Sequence, residues 1–194
     1  MSTFAMHVAK TGLNSQQIKM QVIANNLANV NTTGFKSDRT NFESLLYQVL
    51  RGAGENTSEN TSLASGLSVG TGTRLLNTSK LHTQGSLINT GNSLDMSIEG
   101  DGFFQILLPD GKIGYTRSGA FMRNSEGTVV TPSGYPLQPE IQIPADTQTI
   151  TVASDGIVTV QVPGDVEAQE VGQITLADFV NRQGLQPNGE SMFI

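Results

Sequence analysis

Few residues in this 194-residue chain have the types and spacing that catalysis or metal binding needs. There are two histidines and no cysteine, which excludes thiolate ligands, disulfides and a Cys nucleophile. His7 falls on a helical pattern with no carboxylate at helical spacing, and His82 stands in "KLHTQGSL". Both read as surface or packing residues. Asp95, Glu99 and Asp101 are close enough in sequence to form a carboxylate pair. On a strand, however, they share a face with Ser97, and no apolar or basic context is visible to raise a pKa. They read as turn and surface residues. Gly70-Thr71-Gly72 and Gly100-Asp101-Gly102 lack the third glycine and following helix of a nucleotide site. Ser118 in "TRSGAF" is not a nucleophile elbow. The expectation is a chain that is not an enzyme and uses no cofactor or metal.

Composition narrows the class further. Hydrophobic residues make up only 37%, Trp is absent, and there are 21 glycines. Such a chain has few large side chains for a core, which argues for an extended or partner-dependent shape. The net charge of −6 is unevenly spread. Residues 1–80 hold seven basic and four acidic residues, and residues 81–194 hold four and thirteen, which suggests a boundary. No basic cluster is dense enough to follow a phosphate backbone, so nucleic acid is not an expected partner. No apolar run approaches the roughly 20 residues of a membrane span, so no membrane insertion is expected. The N-terminal stretch has no apolar core of signal-peptide length.

The elements follow from periodicity. Met6, Leu13, Met20 and Leu27 are spaced by heptads, with Ala9, Gln16, Ile23 and Val30 interleaved. This is a coiled-coil seam with one polar member, Gln16, and an otherwise polar remainder. The helix is expected to stop at Gly34. The seam either pairs with another helix or lies on the β-domain. A second, shorter helix is expected in "DRTNFESLLYQVLRG", carrying Phe42, Leu45, Leu46, Val49 and Leu50. Residues 51–73, rich in Gly, Ser, Thr and Asn, read as a flexible linker or long surface loop. Beyond residue 74, "LDMSIEG" and alternating segments read as strands. Tight turns are expected at Asp110-Gly111, Ser125–Gly127 and Asp155-Gly156. The fold class is mainly β: a hairpin-rich β-domain with an N-terminal coiled-coil-type helix and a long polar linker. Three regions are expected: an axial helix at 1–35, a short helix plus polar insert at 36–73, and a β-rich outer domain at 74–194.

The stretch "IANNLANVNTTGFK" resembles the N-terminal signature of the flagellar rod and hook axial protein family. "IEGDGFFQI" followed by "YTRSGAFMRNSEGTVVTPSGYPLQP" resembles that family's central β-domain motif. "FESLLYQVLRGAG", "LASGLSVGTGTR" and "KLHTQGSLINTGNSLDMSIEGDGFF" are similar to its distal-rod branch. The resemblance implies a structural subunit of the distal rod that self-assembles helically into a hollow, torque-transmitting driveshaft between motor and hook. It implies a homo-oligomer, proximal rod and hook proteins as partners, and surrounding periplasmic and outer-membrane rings. It also implies a place in the basal body, spanning the periplasm, with type III export and no cleaved signal peptide. The family continues through a second Asn-rich motif to a C-terminal helix, whereas this sequence stops at "GESMFI". The first 30 residues are therefore expected to be poorly ordered in the free chain or covered by another copy. The assembly-interface candidates are Met6, Ala9, Leu13, Gln16, Met20, Ile23, Asn25, Asn26, Leu27, Asn29, Val30, Asn31, Gly34 and Phe35. A proximal rod or hook subunit, a monomeric β-rich binding module and a β-rich carbohydrate-cleaving enzyme remain open alternatives.

Overall fold

The computed structural model describes residues 2–54, 56–58, 61–62, 64–164 and 168–194. The chain is mainly β with one long helix, and it divides into two compact units. The first unit holds residues 1–29 and 37–81, and the second holds residues 30–36 and 82–194.

In the first unit, helix α1 spans Ser2–Ala28. The strands that follow are β1 (Asp38–Ser44), β2 (Tyr47–Arg51), β3 (Asn56–Ser58), β4 (Thr61–Ser62), β5 (Leu67–Gly70) and β6 (Thr73–Lys80). Strand β1 pairs antiparallel with β6, and β2 with β5. Leu45 N–H to Gly72 and Thr71 N–H to Leu46 carry the ladder across the gap between these pairs. The result is one long two-stranded ribbon with the β3–β4 hairpin inserted between its strands.

This overturns the helix expected across Phe42, Leu45, Leu46, Val49 and Leu50. Their spacing is compatible with a helix, but short apolar runs do not decide between helix and strand. The deciding factor is the complementary strand β6, which lies far along the chain. The polar insert is likewise not a plain linker, because Leu67–Gly70 and Thr73 are ladder residues. Residues 55, 59, 60 and 63 of the insert lie outside the described residues.

A two-stranded ribbon is marginal alone in water. Helix α1 packs on β1 and β6 through Phe4, Val8, Thr11, Gly12, Ser15, Ile18, Val22 and Asn26, which are half-buried or buried. The contact is close because it is built from small polar residues. Ser15 Oγ donates to the Thr11 carbonyl (2.8 Å) and shares a hydrogen bond with Thr73 Oγ1 (3.0 Å). Gly72 sits at φ +123°, and a side chain there would collide with Thr11 Oγ1.

The second unit is built on strands β7 (Phe103–Leu107), β8 (Ile113–Thr116), β9 (Met122–Arg123), β10 (Val129–Val130) and β11 (Leu137–Gln138). Next come β12 (Thr149–Val152), β13 (Ile157–Gln161), β14 (Gln169–Gln173), β15 (Leu176–Ala177), β16 (Pro187–Gly189) and β17 (Met192–Phe193). The main sheet runs β11-β7-β8-β17-β16, with β15 also on β7, and β12-β13-β14 form a second sheet. Hairpins stand at the three expected turns, joining β7 to β8, β9 to β10 and β12 to β13. "LDMSIEG" is not a ladder strand, since only an isolated bridge joins Asp95 to Ala120. Its Leu94 and Ile98 are nevertheless buried in the core.

Strand β7 is buried on both faces. Phe104 enters the main core with Ile106, Phe121, Leu137, Ile141, Val158 and Val160, and meets Phe121 edge-on at 5.2 Å. Phe103 points to the other face, against His82, Phe179 and Phe193.

The helix stops at Ala28, short of Gly34. Residues 30–36 belong to the second unit. Gly34 has φ +72°, and an added Cβ would overlap the Arg117–Ser118 backbone. Gly34→Ala should therefore destabilise the second unit by at least about 1–3 kcal/mol, read as a lowered urea midpoint. An unchanged midpoint would show that this segment does not sit against Ser118.

Candidate assembly interface

The heptad seam of α1 faces solvent. Met6, Leu13, Met20, Ile23 and Leu27 are 55–72% exposed, and Ala9 and Gln16 are also exposed. The ribbon covers a different stripe of the helix. Phe4, Val8, Thr11, Ser15, Ile18 and Val22 alternate four and three apart, forming a second heptad stripe. Met6 lies two residues, about 200°, from Phe4 on the helix, so the two stripes are nearly opposite. The remainder of the helix is thus not simply polar. The second stripe was legible in the spacing but disguised by Thr11, Gly12 and Ser15, which are not apolar.

The candidate residues divide into three groups. The helical seam residues stand together on one exposed face. Val30, although exposed, lies beyond the end of α1 and in the second unit. Gly34 and Phe35 are half-buried there, and the Phe35 N–H donates to the Thr32 carbonyl (3.2 Å). Asn31 is exposed.

The asparagines do different work from one another. Asn26 Nδ2 donates to the Asp38 carbonyl and its Oδ1 accepts from the Asp38 N–H, both at 2.9 Å. The amide thus acts as a one-residue strand partner to the start of β1. Asp38 is further fixed by a half-buried ion pair with Lys80 (2.9 Å). Asn29 Nδ2 donates back to the Asn25 carbonyl (2.9 Å) and side chain (3.2 Å). That local competition accompanies the end of the helix. The amide of Asn26 is thus used within the chain.

A second apolar surface lies on the ribbon. Leu46, Tyr47, Val49, Leu50 and Leu67 are exposed, with Leu46 at 86%. Every residue of β2 is exposed. Sequence reading missed this surface because it assigned Leu46, Tyr47, Val49 and Leu50 to a helix and Leu67 to a linker or surface loop.

The chemistry of these surfaces is that of burial. Removing one Leu, Ile or Met side chain from water is worth about 1.5–3 kcal/mol. Two of the carboxylates are engaged in structure: Asp95 accepts from Thr90 Oγ1 (2.6 Å) and Asn92 Nδ2 (2.9 Å), and Asp101 pairs with Arg182. Among the described residues, no group of three or more His, Asp or Glu is placed to hold a metal ion. Among the described residues, no helix is long and apolar enough to cross a membrane.

Two family profiles match the chain. "Flagella basal body rod protein" covers residues 6–36, and "Flagellar hook protein FlgE/F/G D1 domain" covers residues 97–160. The flagellar basal-body rod protein FlgG of Buchnera aphidicola (subsp. Acyrthosiphon pisum) is 49% identical over 189 residues, spanning 97% of this chain and 73% of the relative. The FlgG of Agrobacterium fabrum is 43% identical over 190 residues, 97% of this chain and 72% of the relative. The flagellar hook protein FlgE of Treponema pallidum is 42% identical over 123 residues, covering 63% of this chain and 26% of that protein. The chain belongs to the flagellar basal-body rod protein family.

Asn26→Ala leaves the Asp38 N–H and carbonyl without their side-chain partner. The expected cost is about 1–3 kcal/mol, with faster hydrogen exchange at the Asp38 amide. Asn26→Asp keeps the acceptor and loses the donor, and should fall between. Unchanged exchange at Asp38 would contradict this role.

Proposed function

We propose that the chain is a structural subunit of the bacterial flagellar distal rod. Many copies assemble helically into a hollow driveshaft that transmits torque between motor and hook. The role is mechanical rather than catalytic. The subunit works in the basal body, spanning the periplasm, and leaves the cell through the flagellar type III apparatus without a cleaved signal peptide. Its partners are further copies, the proximal rod and hook proteins, and the rings around the rod.

One observation carries this reading: the exposed seam on α1, left bare while the opposite stripe is occupied by the ribbon. A helix with both stripes covered is stable, and a narrow heptad seam is best covered by another helix. Gln16, the polar seam member, sets register there. The exposed ribbon residues Leu46, Tyr47, Val49 and Leu50 supply further contacts between subunits and stiffen the rod. The hook reading is less favoured, because the hook relative matches a smaller share of this chain than the rod relatives do.

Leu13→Asp combined with Leu27→Asp places two charges in the seam while touching no buried residue. Sedimentation at high concentration should show filaments for the parent chain and none for the variant. The urea midpoint of the second unit should be the same in both. Filaments of normal length from the variant would overturn the proposal.

A further inference from the structure

Oxidation chemistry in this chain falls to methionine. There is no cysteine and no tryptophan, and there are six methionines. A thioether is therefore the side chain that a peroxide attacks most readily here. Exposure then separates the methionines. Met6 and Met20 are 70% and 71% exposed, and Met122 is 58% exposed. Met96 is half-buried against the main core, and Met192 is buried within it. Met1 lies outside the described residues.

Two of these exposed thioethers stand on the bare seam of α1. Met6 and Met20 are two heptads apart and share the face that carries Leu13 and Leu27. Along that stripe Met6 is followed by Ala9 and Leu13, whose side chains offer no hydrogen-bond donor. Met20 is flanked by Gln16 and Ile23, one turn away on either side. An oxygen added at Met6 thus finds no side-chain donor in Ala9 or Leu13.

Hydrogen peroxide reacts with a thioether by oxygen transfer. The sulfur lone pair attacks one peroxide oxygen, and the O–O bond breaks. The departing hydroxide takes the proton from the transferred oxygen and leaves as water. Sulfur gives up two electrons and becomes a sulfoxide, while the peroxide is reduced. The product is polar and chiral where the thioether was apolar and flexible. Its oxygen is an acceptor, and an acceptor buried without a partner costs its full desolvation.

We propose that Met6 and Met20 form a peroxide-sensitive modification site that controls association: oxidised on the free subunit, they make the seam too polar to pair. The effect on association rests on the rod reading, whereas the oxidation itself rests on exposure. Timing follows from the same geometry. Both thioethers are open to solvent while the seam is bare, so the free subunit is the vulnerable form and assembled copies are shielded. Losing the burial of one Met side chain lowers an association constant about tenfold. Met122 belongs to the second unit and supplies an exposed thioether off the seam.

The test is partial oxidation of the dilute full chain with hydrogen peroxide, then removal of the peroxide, concentration and sedimentation. Peptide mass spectrometry reads the sulfoxide fraction at each methionine in pellet and supernatant. Before sedimentation, Met6 and Met20 should be oxidised well ahead of the buried Met192. Afterwards, sulfoxide at Met6 and Met20 should be depleted about tenfold in the pellet relative to the supernatant, and sulfoxide at Met122 should be spread evenly. Seam sulfoxides that partition as the Met122 sulfoxide does would overturn the proposal. So would seam methionines oxidised no faster than Met192. An untreated chain that forms no filaments would instead overturn the rod reading, and control of association with it.

Discussion

The whole arrangement depends on a helix with two stripes, one of which is covered by the β1–β6 ribbon and the other exposed, among the described residues. The ribbon occupies the stripe of Phe4, Val8, Ile18 and Val22. The opposite stripe of Met6, Leu13, Met20, Ile23 and Leu27 is left in water. Isolated apolar side chains on a surface need no explanation, but a continuous row at heptad spacing does. Each of these side chains carries an unused burial term of about 1.5–3 kcal/mol. On the proposed reading, the driving force for association is stored in the folded subunit itself.

The internal contact is of a different kind. It uses Thr11 and Ser15 against Gly72 and Thr73, where the bare Gly72 allows close approach. Hydroxyls returned to their own helix weaken it slightly. Asn26 anchors the C-terminal end of α1 by bonding the Asp38 backbone in both directions. Specific polar contacts thus orient the helix on the ribbon, beside the apolar contacts of Phe4, Val8, Ile18 and Val22. Immediately beyond, Gly34 adopts a conformation that places residues 30–36 in the second unit. The Asn-rich stretch is therefore a transition between units, in which Asn26 binds the Asp38 backbone and Asn29 bonds back to Asn25.

Local chemistry was readable in the sequence, and distant pairing was not. Turns at Asp110-Gly111, Ser125–Gly127 and Asp155-Gly156 were evident because a turn is encoded in adjacent residues. The seam was evident because heptad spacing is periodic. The β1–β6 ribbon was hidden, since Phe42 and Leu75 meet across a long stretch of chain. Apolar residues spaced three and four apart suit a helix as well as an edge strand, and only the partner decides. Leu94 and Ile98 were expected in a strand because apolar residues alternate there, yet they reach the core from irregular backbone. His82 was read as a surface or packing residue, and its aromatic neighbours place it among packed rings. Its charged surroundings were invisible because Lys36, Arg117 and Arg182 are far apart in sequence.

Association through the outer stripe of α1 is the central claim. Hydrogen exchange over Leu13–Leu27, compared between dilute monomer and assembled filament, tests it directly. The amides should exchange readily in the monomer, where one stripe is bare, and become strongly protected in the filament. Strong protection already present in the monomer, with no gain on assembly, would contradict the account.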